Sequence, residues 1–139
     1  MAVKLSSIKT DAKREAEGEW INIPEIPGVR LLVRSLNYGP YKNARSIMLG
    51  RLARRYGKDP VPDTVMSKEL GDLYVAHILL GWEGFDVPYT EEVARQTLTD
   101  VAYRSLLDHI EYAANRVGQQ EIEFVEAAAG NSPPPSLGS

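Results

Sequence analysis

Three segments of the chain repeat apolar residues at intervals of three and four, and a glycine follows each of them. They run over residues 41–56, 64–80 and 101–117. Such spacing places apolar side chains along one face of an α-helix, whereas glycine commonly ends a helix. In the first segment, Ile47 and Leu49 are expected to widen this apolar face. The sequence therefore predicts a core made mainly of helices.

The stretches between and after these segments predict shorter elements. Residues 82–89 are rich in glycine, proline and aromatic residues, which indicates a loop. Thr90 is expected to cap the next helix, since its hydroxyl can accept from the free N–H groups of the first turn. A new cap is expected at Thr99-Asp100, and residues 119–129 predict a weaker helix.

Two short segments near the N-terminus alternate apolar and polar residues, as half-buried strands do. They cover residues 19–23 and 29–35, and Pro27-Gly28 lies between them. This pattern predicts a β-hairpin, which is marginally stable in water unless it packs on other elements. The predicted fold class is mainly α, a bundle-like domain of four to five helices with a small N-terminal β-hairpin.

The length of 139 residues corresponds to one domain. Residues 1–16 are polar and are expected to form a flexible N-terminal arm or a short helical arm, since Lys13, Arg14 and Glu15 would support a helical turn or two. Residues 17–129 are expected to form the single helical domain, which includes the hairpin. Residues 130–139 are rich in proline, serine and glycine, a composition typical of a disordered tail.

Composition excludes several function classes. The chain has no cysteine, which removes disulfides, thiolate catalysis and cysteine-ligated metals. Its net charge of −3 does not favour bulk nucleic-acid binding. The sequence has no apolar run of about 18 residues and no apolar signal segment, so a cytoplasmic protein without a membrane partner is expected.

Candidate catalytic groups are few. His77 lies on the apolar face of its predicted helix, where a core histidine is the simpler interpretation than a catalytic one. His109 follows Asp108, and adjacent helical residues do not face each other. The sequence contains no phosphate-binding glycine motif, nucleophile motif or zinc motif. We therefore predict no catalytic, metal-binding or cofactor-binding residues and no cofactor, and we expect a protein that is not an enzyme.

Basic residues concentrate on the first long helix. Arg45, Arg51, Arg54 and Arg55 lie there, and no acidic residue occurs from Ser35 to Lys58. One interpretation is a solvated face balanced by acidic residues of neighbouring helices. The other is a contact surface for an acidic partner, because arginine pairs with carboxylates in a bidentate manner. Nucleic acid is disfavoured, since no helix-turn-helix pattern accompanies the arginines.

The aromatic loop after residue 81 is the second candidate site. Trp82 and Phe85 lie within it. One interpretation is that they pack at one end of the helical core. The other is that they form an exposed anchor for a partner, since aromatic residues dominate interface energetics. Burial decides between these alternatives.

Three stretches in this order resemble the tail assembly chaperones of long-tailed, siphovirus-type bacteriophages. The first is the hairpin region over residues 17–35, with Trp20 and the strand Val29-Arg30-Leu31-Leu32-Val33. The second is the basic helix. The third is His77-Ile78-Leu79-Leu80-Gly81-Trp82-Glu83-Gly84, followed by Tyr89-Thr90-Glu91-Glu92. Gly81 stands where relatives often have aspartate. The resemblance covers roughly residues 15–125.

The resemblance implies a non-enzymatic role. Such chaperones bind the tape measure protein, keep it soluble and help to recruit the tail tube protein. They act in the host cytoplasm and are absent from the mature virion. A homo-oligomer would suit a protein that wraps a filament. The family fixes no binding residues, and we place the hypothetical partner-binding site on six residues: Arg45, Arg51, Arg54, Arg55, Trp82 and Phe85.

Two other functions fit the same sequence less well. One is a structural virion protein, such as a head–tail connector or a tail terminator. The other is a small nucleic-acid-binding regulator, whose binding would weaken steeply as salt rises.

Overall fold

A computed structural model describes residues 1–119 and 122–126. The chain divides into two compact units. The larger one comprises Ala12–Gly118, and the smaller one joins Met1–Asp11 to the described residues from Gln119 onward. The predicted disordered tail, residues 130–139, lies outside the described residues.

The described α-helices all belong to the larger unit, and the mainly α fold class is confirmed. They are α1 (Ala12–Glu17), α2 (Gly39–Tyr56), α3 (Asp63–His77), α4 (Glu91–Leu98) and α5 (Arg104–Arg116). A 3-10 turn over Val101–Tyr103 precedes α5. The caps predicted at Thr90 and Asp100 are both present, with their side chains accepting from the N–H groups of Val93 and Ala102.

The described strands form two antiparallel sheets, one in each unit. They are β1 (Ala2–Val3), β2 (Glu19–Asn22), β3 (Arg30–Val33), β4 (Leu79–Glu83) and β5 (Phe124–Val125). In the larger unit, β3 lies between β2 and β4. The predicted hairpin is confirmed as β2–β3, with Trp20 opposite Leu32.

The prediction that a helix continues to Leu80 and a loop begins at Trp82 was wrong. Helix α3 ends at His77, and residues 79–83 form β4, with Trp82 opposite Leu31. A short apolar run suits a buried helix end and a buried strand equally well, and only the pairing with β3 decides between them. The pairing adds a third strand, which supports the hairpin.

The prediction of a helix over residues 119–129 was wrong for the described residues 122–126. There, β5 pairs with β1, with Ala2 opposite Val125. The Lys4 N–H also donates to the Glu123 carbonyl at 2.8 Å. This pairing joins residues far apart in the chain, so local periodicity does not reveal it. Residues 120–121 and 127–129 of the predicted helix lie outside the described residues.

The predicted flexible arm, residues 1–16, contains β1, a 3-10 turn over Leu5–Ile8 and most of α1. Its first eleven residues belong to the smaller unit, whereas α1 belongs to the larger one.

The core of the larger unit lies between the three-stranded sheet and the helices. The side chains of Leu31 and Val33 on β3 are fully buried, and Ile110 of α5 is fully buried as well. Helix α3 packs against α2, α4, α5 and β4. It therefore connects the sheet with the remaining long helices.

The contact between α3 and α4 depends on Gly71. A Cβ atom on this residue would lie only 2.1 Å from the Leu98 carbonyl oxygen. Gly50 of α2 provides a contrast, because its Cβ would meet only an arginine side chain, at 3.8 Å. The two helical glycines thus have opposite packing environments.

We predict opposite effects of alanine at these two glycines. Gly71→Ala forces α4 away from α3 and should lower the free energy of unfolding by about 3 kcal/mol. Gly50→Ala should raise it by about 0.5–1 kcal/mol, since alanine favours a helix over glycine. Urea denaturation of both variants measures the difference. Equal effects would contradict the close approach at Gly71.

Candidate functional site

Helix α2 carries the basic residues and has one clearly buried face. Tyr41, Met48 and Leu52 are each no more than 3% exposed. Among the described elements, α3 is the main packing partner of α2. The remaining faces of α2 are therefore available to solvent, and they carry the arginines.

Ile47 lies on the solvent side of α2, and the prediction that it widens the buried face was wrong. Its side chain is 71% exposed, whereas Leu49 is at the margin with 37%. Successive helical residues are about 100° apart, so Ile47 lies at least about 100° from Met48 and Leu52 around the axis. An apolar face that included Ile47 would extend too far around α2 to pack against one neighbouring helix.

Three of the four predicted arginines surround Ile47. Arg51, Arg54 and Arg55 follow it by four, seven and eight residues, which places them within about 80° of it around the helix axis. All three are exposed. We call this surface the Ile47 edge, defined by Ile47, Arg51, Arg54 and Arg55. It combines a large exposed aliphatic side chain with a high density of positive charge.

The arginines of the Ile47 edge differ in their partners. Arg51 makes a bidentate ion pair with Glu69 of α3, at 2.6 and 3.2 Å. The hydrogen bonds from Arg51 hold the pKa of the Glu69 carboxyl below its usual value. The Arg55 guanidinium lies 5.2 Å from the centre of the Tyr56 ring. Arg54 makes no ion pair within the part of the chain that the structure describes.

Arg45 is separated from the other predicted arginines. It lies two residues before Ile47, and therefore about 160° from it around the axis of α2. Its side chain lines a pocket that also contains Tyr41 and Tyr74. The predicted set thus divides into the Ile47 edge and an isolated arginine at a pocket.

Trp82 lies in the core. Its burial favours packing at one end of the helical core over an exposed anchor for a partner. Its side chain is 8% exposed, and its indole Nε1–H donates to the Val87 carbonyl at 2.8 Å. The rings of Phe85 and Tyr89 meet it edge-on, with centroids 5.5 and 5.2 Å away. This packing holds the loop after β4 against the core.

Phe85 is half-buried and lines a cavity of about 280 Å³ next to Trp82. It therefore has some access to solvent, unlike the indole. Trp82 and Phe85 are separate from the Ile47 edge, since the cavity that they line contains no residue of α2.

The two histidines lie on different helices, His77 on α3 and His109 on α5. His77 is half-buried at the end of α3, and its carbonyl accepts from Arg34 Nη1 at 3.3 Å. His109 Nδ1 lies 3.9 Å from Glu25 Oε2. Among the described residues, no group of three acidic or histidine side chains is arranged to hold a metal ion. No described helix has the length and apolarity needed to cross a membrane.

In a comparison with protein families, residues 36–131 match a family model. The matching model describes the YdaY prophage protein. The chain belongs to the YdaY prophage protein family. The match begins just before α2 and includes the Ile47 edge, α3, β4, α4 and α5. Comparison of this YdaY-family protein with curated proteins and with solved structures found no match.

The family assignment confirms the bacteriophage origin implied by the resemblance. It does not specify a tail assembly chaperone, because the matching description names only a prophage protein.

In this YdaY-family protein, the Arg51–Glu69 ion pair should contribute to stability in a pH-dependent way. The pKa of Glu69 is lowered from its ordinary value of 4.5 in the folded protein. Its contribution is therefore fully present above pH 4.5 and is lost as the pH falls through the folded-state pKa. Glu69→Gln should be less stable than the native protein at pH 7, and this difference should shrink below pH 4.5.

Thermal unfolding from pH 7 to pH 3 measures the pH dependence. Asp59→Asn is the control, because it removes an exposed carboxylate outside any ion pair of the described residues. A Glu69→Gln difference that stays constant from pH 7 to pH 3 would show that the lost stability is not electrostatic.

Proposed function

We propose that this YdaY-family protein acts by binding another protein rather than by catalysis, and that the Ile47 edge is its contact surface. The observation that carries the proposal is the exposed Ile47 side chain among Arg51, Arg54 and Arg55. Burying an isoleucine side chain stabilises a complex by roughly 1.5–3 kcal/mol. The surrounding arginines favour a partner with acidic residues beside its apolar ones.

The partner that fits this surface is an amphipathic helix with an acidic flank. Such a helix can place one apolar side chain on Ile47 while its carboxylates pair with Arg54 and Arg55. Arg51 is already paired with Glu69 and contributes less free charge. A contact with one apolar anchor and a charged rim is small, which suits binding that must later be reversed.

We propose that the partner is the tape measure protein of the same phage and that the chain is a tail assembly chaperone. The prophage family and the resemblance to the chaperones of long-tailed phages support this assignment. A tape measure protein is a long helical chain with apolar faces that are exposed before assembly. In this role, the chaperone keeps it soluble in the host cytoplasm, helps to recruit the tail tube protein and leaves before the virion is complete.

Co-expression with the tape measure protein of the same phage tests this proposal. Tagged native protein should capture soluble tape measure protein. Ile47→Asp and Arg54→Glu/Arg55→Glu should each reduce the captured amount by about tenfold or more, because they remove the apolar anchor or reverse the charge. All three positions are exposed, so both variants should fold as the native chain does.

Lys9→Glu/Arg104→Glu is the matched control, since it makes the same change in net charge at exposed positions outside the Ile47 edge. Capture should survive in this control. If the Ile47-edge variants capture as much tape measure protein as the native chain does, the contact lies elsewhere. If the native chain captures no tape measure protein and is itself present in purified virions, a structural virion protein would be favoured instead.

A further inference from the structure

A pocket of about 380 Å³ lies on the side of α2 away from the Ile47 edge. Its most buried lining residues, Tyr41 of α2 and Tyr74 of α3, form its floor, and Leu36 and Leu70 are its aliphatic lining residues. We call it the tyrosine pocket. Its size falls within the range of sites for small molecules or single side chains.

The two tyrosines present protonated hydroxyls. Their rings are 5.9 Å apart, and each residue is at most 3% exposed. Burial raises the pKa of both hydroxyls, so both remain neutral at physiological pH, and the two hydroxyls are hydrogen-bonded to each other. The Tyr41 hydroxyl also interacts with the Arg45 side chain. The floor of the pocket is thus polar although it is deep in the protein.

The charges at the mouth favour a ligand with a single negative charge. Lys42 and Arg45 contribute two positive charges, and Glu111 of α5 contributes one negative charge. The sum of +1 matches one carboxylate and leaves the second charge of a phosphate dianion unbalanced. Arginine offers a planar pair of N–H donors that matches a carboxylate.

We propose that the tyrosine pocket binds a monocarboxylate whose short aliphatic part lies against Leu36 and Leu70. The carboxylate accepts from Arg45 and from the Tyr41 hydroxyl, and Lys42 adds a positive charge. The ligand is either a free short-chain acid or the side chain of a glutamate from another protein, which offers the same group. This inference does not depend on the proposed function, since Arg45 lies outside the Ile47 edge.

NMR titration of the full chain tests the proposal, with the Arg45 Nε–H and the tyrosine ring signals as readouts. The probes are sodium butyrate, glutamate blocked at both termini, sodium phosphate and uncharged butyramide. Butyrate should give saturable shifts, and butyramide should not. Saturation by blocked glutamate as well would indicate a protein side chain as the ligand, whereas saturation by butyrate alone would indicate a free acid.

Arg45→Gln should weaken butyrate binding by about tenfold or more, because it removes the charged donor. Because this variant lacks the Arg45 Nε–H signal, its butyrate binding is followed through the tyrosine ring signals. Arg54→Gln makes the same charge change on the Ile47 edge and should leave binding unchanged. Tighter binding of phosphate than of butyrate, or equal weakening by Arg45→Gln and Arg54→Gln, would overturn the proposal and indicate attraction by net charge alone.

Discussion

The packing of α3 is the constraint on which the other parts of the larger unit depend. This helix contacts α2, α4, α5 and β4, and its buried Tyr74 and Val75 contribute to the core. Gly71 lets the end of α4 approach its backbone. Because α2 packs mainly on α3, the orientation of α3 also determines which side of the basic helix reaches solvent.

The two candidate sites follow from this single contact between α2 and α3. Tyr41, Met48 and Leu52 face inward and fix the rotation of α2 about its own axis. That rotation exposes Ile47 among three arginines and places Arg45 at the opposite margin, next to Tyr74. One helix thereby supplies a surface suited to an acidic helix and a pocket suited to a single carboxylate.

Local sequence features were sufficient for the existence of the long helices, for the hairpin and for the caps at Thr90 and Asp100, but not for the end of α3 or for residues 122–126. They were insufficient for β4, because the apolar run after His77 fits either a helix end or a strand until β3 is beside it. The exposure of Ile47 and the tyrosine pocket also escaped sequence analysis. Both depend on how α2 is rotated against α3, which helical periodicity limits only to a broad face. The arginine cluster itself was visible in the sequence.

We propose that Ile47 contacts the partner, and the methyl NMR signal of this residue tests that contact most directly. The protein would be labelled at isoleucine methyl groups and titrated with soluble tape measure segments. We expect a large, saturable change at Ile47 and none at Ile110, which is fully buried in the core. An unchanged Ile47 signal in a complex that demonstrably forms would contradict it.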